Sequence, residues 1–252
     1  MSMLKVESLT KIFGGLRAID DLSFTIRPGH VHSVIGPNGA GKTTLFNLIT
    51  GVYQPTSGRI SLEDRDLAGL AVHQRAELGM SRTFQNLQIC MNMSALDNVM
   101  IGRHRHLDQR FLPALLRLPS VVTGDRKARE RCAELMDYVG LGGYVNSEAS
   151  AMPYGALKRL EIARALAAEP RLLLLDEPAA GLNATETAEL DQVIHKLGEA
   201  GVTVVLVEHD MKLVMNISEH IIVLNYGKKL AEGTAQEIRR NPDVIAAYLG
   251  AA

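Results

Sequence analysis

Nine residues constrain this chain more than any other stretch: Gly36-Pro37-Asn38-Gly39-Ala40-Gly41-Lys42-Thr43-Thr44. They follow a short strand-like run, Val31-His32-Ser33-Val34-Ile35, and open a helical pattern over Lys42–Thr50, with Gly51 as its stop. The spacing G-x-x-x-x-G-K-T between a strand and a helix is a phosphate cradle. Glycines let backbone N–H groups turn inward on an anion, and the helix N-terminus adds positive partial charge. Lys42 then reaches the β- and γ-phosphates of a nucleotide, and the Thr43 hydroxyl binds Mg²⁺. The alternative, an ordinary Gly-rich strand-to-helix turn, is set aside because motif and context occur together.

Composition agrees with a folded nucleotide-binding chain and excludes several others. The 252 residues suffice for one large domain or two subdomains with a sizeable core. The apolar fraction of 46% and charged fraction of 22% rule out wholesale disorder. A net charge of −1 argues against a dedicated duplex-DNA binder, and 4% aromatics against a stacking platform for single strands. Met1–Ser8 carries charges where a signal peptide needs an apolar run, and no window approaches the ~20 apolar residues of a membrane helix. The longest apolar candidates are Leu172–Leu175, Val202–Val207 and Phe111–Val122, the last interrupted by Arg117. Cys90 and Cys132 lack metal-type spacing, so reduced thiols are expected.

Local patterns predict an α/β chain. Leu22-Ser23-Phe24-Thr25-Ile26 alternates at period two and ends in an Arg27-Pro28-Gly29 turn. Leu172–Leu175, Val202–Val207 and Ile221–Leu224 read as buried parallel strands. From about Ser94 to Leu166 the pattern becomes mostly helical, as an inserted subdomain would. Asn183 and Thr234, each followed three residues on by Glu, read as N-caps. The expected organisation is one domain over 4–250. Segments 4–89 and 167–226 form the nucleotide-binding core, 90–166 a helical subdomain, and 227–252 a C-terminal extension with a short helix.

The strand Leu172–Leu175 ends in two acids, Asp176 and Glu177. Beside a phosphate cradle, Asp176 serves Mg²⁺ and Glu177 acts as base on the attacking water. His209, at the end of the run Val202–Glu208, either bonds a γ-phosphate or is a capped loop histidine.

Together these residues resemble the ATP-binding subunit of an ABC transporter, over nearly the whole chain from Leu4 to Gly250. The resemblance implies a P-loop NTPase core of RecA-like type, with an N-terminal antiparallel β subdomain and an inserted α-helical subdomain. It implies that Phe13 stacks on adenine, that Gln85 contacts Mg²⁺ or the attacking water and faces the membrane subunit, and that His209 is the switch histidine. Met152-Pro153-Tyr154-Gly155-Ala156 stands where the family signature L-S-G-G-Q stands, and Ala180-Gly181-Leu182-Asn183 at the D-loop. Pro153 has neither the hydroxyl nor the N–H with which the usual serine holds a γ-phosphate. Tyr154, Gly155 and the helix start after them are left to meet the nucleotide. Asn183, which replaces the usual acid, remains a good N-cap.

These departures look like ATPases of branched-chain amino-acid importers, as does the ending Glu232-Gly233-Thr234 through Asn241-Pro242-Asp243 to Tyr248-Leu249-Gly250. The Gly102–Asp125 segment, with Phe111–Pro119, resembles the insertion of the longer of the two ATPase subunits such importers carry. The resemblance implies ATP and Mg²⁺ as ligands, and a second ATP-binding subunit, identical or homologous, packed head to tail. It also implies separate membrane permease subunits, an extracytoplasmic solute-binding protein, no nucleic acid, and a peripheral place on the cytoplasmic face of the membrane. Alternatives are an ABC ATPase for an amide, urea or lipopolysaccharide, or a soluble non-transport ABC ATPase. Residues 103–131 hold eight Lys/Arg against three acids, a basic stretch suited either to an anionic membrane surface or to plain solvation. His104-Arg105-His106 lacks a third ligand and reads as solvated surface rather than a metal site.

Overall fold

The computed structural model describes residues 2–107, 115 and 118–249. The Phe111–Pro119 stretch lies outside the described residues except for Leu115, Leu118 and Pro119, as do three charges of the basic stretch, Asp108, Arg110 and Arg117.

Two sheets share one core. Strands β1 (Leu4–Phe13), β2 (Leu16–Ile26), β4 (Ser57–Leu62) and β5 (Arg65–Asp66) form an antiparallel sheet in the order β2-β1-β4-β5. In β2 the predicted alternation is visible: Leu22, Phe24 and Ile26 are buried, Ser23 and Thr25 exposed. The second sheet has the order β10-β9-β3-β8-β7-β6. Its members are β3 (Val31–Ile35), β6 (Met80–Arg82), β7 (Leu172–Asp176), β8 (Thr203–Val207), β9 (His220–Asn225) and β10 (Lys228–Gly233). All its pairings are parallel except that of β10 with β9.

The central strands are apolar throughout because both faces are covered. Leu172, Leu174, Val205 and Val207 face the core shared with the antiparallel sheet and with helix α1 (Lys42–Thr50). Leu173, Leu175, Val204 and Leu206 face the opposite side, against helices α5 (Tyr154–Leu166) and α6 (Ala184–Glu199). Each such leucine contributes about 1.5–3 kcal/mol relative to exposure.

Among the described residues from Ser94 to Leu166 the chain is mostly helical, as expected: α3 (Ala95–Arg103), α4 (Pro119–Tyr138) and α5 pack together. Ser94 caps α3, its hydroxyl accepting from the Asp97 N–H at 3.1 Å. At Gly102 the backbones meet so closely that a Cβ would lie 1.9 Å from the Arg164 carbonyl oxygen. Asn183 and Thr234 cap α6 and α8 (Ala235–Arg240), each in a reciprocal box with the Glu three residues on. Within 227–252, β10 joins the six-stranded sheet as an edge strand, and a second helix, α9 (Pro242–Leu249), follows α8.

Elements between Tyr53 and Gln85 carry weak local patterns. One is α2 (Val72–Glu77), whose Arg75 is 2% exposed. Its guanidinium donates to the Leu48 and Ile49 carbonyls at the end of α1, both at 2.8 Å, and to the Leu67 carbonyl beyond β5 at 2.9 Å.

Candidate functional site

The phosphate cradle is built by close backbone approach. A Cβ at Gly36 would stand 2.2 Å from the Leu224 carbonyl oxygen, and one at Gly41 2.7 Å from that of Ala18. Gly41 ends the loop in a left-handed conformation (φ 102°) and passes directly into α1. Ala40 N–H bonds the Pro37 carbonyl within the loop, while Gly227 N–H ties the Ala40 carbonyl to the β9–β10 turn. Asn38, Gly39 and Thr43 are exposed, Thr44 half-buried, and a Cβ at Gly39 would meet open space. Lys42 is buried and folds back along the loop, donating to the Gly36 carbonyl at 2.6 Å and that of Pro37 at 3.1 Å. Burial pushes its ammonium pKa down, and the charges of Glu177 and Asp176 oppose that shift.

β7 delivers the acids. Asp176, 4% exposed, ends the strand opposite Val207 of β8. Glu177 turns out of the sheet with φ 48°, a costly conformation for a non-glycine, and its N–H bonds the Val207 carbonyl at 2.9 Å. Its Oε2 accepts from Gln85 Nε2 at 2.8 Å and lies 3.9 Å from His209 Nδ1. Gln85, Glu177 and His209, distant in sequence, thus converge on one carboxylate oxygen, beside a Lys42 that feels both acids.

The residues present suit a magnesium nucleotide. Among the described residues no cluster of three or more His, Cys, Asp or Glu side chains is arranged to cage a metal. Thr43, Gln85 and Asp176 instead offer a few hard oxygen donors, the sparse set that suits an ion completed by phosphate and water. A buried ammonium facing an open, glycine-lined loop suits polyphosphate in the same way.

Arg82 is a residue that sequence reasoning missed. Its guanidinium donates to Asp176 Oδ2 and to Asn47 Oδ1, both at 2.7 Å, with both charged side chains nearly sealed from solvent. It also lies 5.5 Å from the Phe46 ring and 5.1 Å from that of Phe84. Nothing local distinguishes this arginine in the sequence; its partner stands 94 residues away.

The remaining candidates sit elsewhere. Phe13, 40% exposed, is T-stacked on Tyr53 at 5.2 Å with Lys11 over its face, and Tyr53 was not singled out in the sequence. Pro153 occupies the N-cap of α5 without a side-chain cap bond. Tyr154 and Gly155 lie against their own chain's D-loop: Tyr154 Oη donates to the Ala180 carbonyl at 3.4 Å, and a Cβ at Gly155 would strike Glu186. Lys158 Nζ, buried in α5, donates to the Gln85 carbonyl at 3.2 Å, which straps the Gln85 loop to the signature helix.

Comparison with known proteins places this geometry in a family. Residues 19–180 match the family described as ABC transporter, and residues 228–252 that described as branched-chain amino acid ATP-binding cassette transporter. The high-affinity branched-chain amino acid transport ATP-binding protein BraF of Pseudomonas aeruginosa is 49% identical over 251 residues, covering 99% of this chain and 98% of BraF. Among solved structures, the ADP conformation of MJ1267, an ATP-binding cassette of an ABC transporter, superposes with a TM-score of 0.87 at 29% identity, covering 99% of each chain. The dimeric structure of MJ0796, a bacterial ABC transporter cassette, gives a TM-score of 0.78 at 26% identity, covering 92% of this chain and 99% of that one. With the cassette region matched by the family and the whole length matched at this identity, the chain belongs to the ABC transporters, as one of their ATP-hydrolysing subunits.

Proposed function

We propose that the chain powers an importer of branched-chain or related amino acids, working on the cytoplasmic face of the membrane with separate permease subunits and an extracytoplasmic solute-binding protein. Full-length identity to BraF carries the solute class. The observation that carries the chemistry is the convergence of Gln85 and His209 on Glu177.

In this reading the 36–44 loop and Lys42 hold the β- and γ-phosphates, and Phe13 and Tyr53 offer an aromatic surface for adenine. Thr43, Gln85 and Asp176 would hold Mg²⁺, which supplies charge neutralisation between the phosphates when bound. Glu177 takes a proton from water as its oxygen attacks the γ-phosphorus, the bond to the β-phosphate oxygen breaks, and ADP and phosphate result. Gln85 orients that water, and His209 holds the γ-phosphate.

Two ATP-binding subunits, identical or homologous, pack head to tail, each presenting the residues at its Tyr154 and Gly155 positions to the nucleotide of the other, and ATP drives the pair closed by its higher affinity for that state. The permease surface is an apolar groove of about 300 Å³ beside Gln85, where Val52, Val72, Phe84 and Ile101 are each 45–50% exposed.

Glu177→Gln is expected to lower ATP turnover at least ~100-fold, within the range for losing a general base, while retaining ATP binding by calorimetry. Unchanged hydrolysis would remove Glu177 from the role of base. For the solute, vesicles holding this chain, the membrane proteins that co-purify with it and the solute-binding protein should take up labelled leucine on ATP addition; uptake of only an unrelated solute would overturn the amino-acid reading, and no ATP-driven uptake of any solute the import reading.

A further inference from the structure

Among the described residues Glu208 is the most buried carboxylate that the reaction does not use: 1% exposed, directly after β8 and one residue before His209. Among the described residues it has no Lys or Arg partner; the His209 imidazole, 4.0 Å away, is the one basic group paired with it. Its acceptors serve the backbone instead. Oε1 takes the Ala179 N–H at 2.7 Å, and Oε2 takes the His209 N–H at 3.1 Å and, more weakly, that of Asp210 at 3.5 Å. Burial pushes this carboxyl's pKa up, and these N–H donors work against that shift.

The bonds run between two segments that leave the sheet side by side, past the paired Asp176 of β7 and Val207 of β8. One holds Glu177, whose own N–H is already tied to the Val207 carbonyl. The other holds His209, whose ring is 63% exposed and so is placed by its backbone rather than by packing. A single side chain spans both, two residues after Glu177 and directly at His209. A neutral amide at this position would offer only one acceptor oxygen, so one of the two segments would face an N–H donor instead.

From this geometry we infer that Glu208 is a positioning residue for ATP hydrolysis: its carboxylate sets the spacing between the Glu177 segment and the His209 segment. The inference rests on the roles given above to Glu177 and His209.

The test uses the full chain and the substitutions Glu208→Gln, Glu208→Asp and His209→Ala, alone and combined. Glu208→Gln should lower kcat about 30-fold while the calorimetric Kd for ATP stays within twofold of the parent. In the His209→Ala background the same change should cost less than about threefold, because the spacing it sets no longer matters there. Glu208→Asp keeps the charge but is a methylene too short to reach Ala179, and should lose about 5–10-fold; it decides the matter if the amide variant does not fold. Parent-like kcat in Glu208→Asp, equal losses in both backgrounds, or a fall in ATP affinity matching the fall in kcat would each overturn the inference. Parent-like turnover in His209→Ala would overturn the reading of His209 itself. A crippled His209→Ala beside a fully active Glu208→Gln would overturn only the role of Glu208.

Discussion

Pro153 stands where a serine would be expected to hold a γ-phosphate, and its surroundings show what it does instead. It occupies the N-cap of α5 with φ −65° and ψ 155°, an extended geometry that a proline ring accepts at little cost. It makes no cap bond, so first-turn N–H groups of α5 remain for an anion. A serine fits the same backbone and adds a cap worth about 0.5–1 kcal/mol. Pro153→Ser is therefore expected to raise the thermal midpoint slightly and keep ATP turnover within about threefold. A collapse of turnover would show that the ring itself matters. Arg82 and Glu208 teach the complementary lesson: each is a charged residue of ordinary appearance in the sequence, yet each is bonded to the 176–179 segment.

At the scale of elements, glycine separates packing from propensity. Gly36 ends β3 with no room beside the Leu224 carbonyl of neighbouring β9, so Gly36→Ala must move a strand. It should destabilise the fold by about 1–3 kcal/mol, the cost of overpacking, and weaken ATP binding in calorimetry. Gly124, inside α4 and with open space around its Cβ position, is the opposite case. Gly124→Ala should stabilise by about 0.5–1 kcal/mol through helix propensity, leaving ATP affinity unchanged. Urea titration of the two variants checks both signs. Helix α1 and strand β3 were legible to the residue because their limits are local: Gly51 stops one, and a glycine loop ends the other. Strand β6 and helix α2 were not, because three strand residues and six helical ones carry too little periodicity to read.

Over the whole molecule, the end of the sheet away from the nucleotide carries a pH-sensitive element of stability. His32, 1% exposed, accepts the Arg27 N–H at Nε2 (3.1 Å), while His220 and His30 lie beside it. Burial chiefly, and then the His220 charge, pushes its pKa down to about 4. Between that value and the ordinary 6.5 the unfolded chain binds a proton that the folded chain refuses. Stability therefore falls as pH drops through this window, by up to about 3 kcal/mol over its full span. His32→Gln keeps an acceptor for Arg27 but does not titrate. The urea midpoint of the parent should fall between pH 7 and pH 5 by clearly more than that of the variant; equal falls would exclude His32 as the source.

The sequence by itself determined the fold class, the phosphate cradle, the acid pair at the end of β7 and the helix caps. Each is written in a few adjacent residues, where spacing, periodicity and backbone chemistry act locally. Only the tertiary structure decided which side chains meet. Gln85 reaches Glu177 across 92 positions, Arg82 reaches Asp176 across 94, and Glu208 reaches Ala179 across 29. These pairings exist because parallel pairing sets β6, β7 and β8 side by side with their C-terminal ends together. That order is the outcome of burying apolar strands on both faces, a global property no single stretch of the chain encodes.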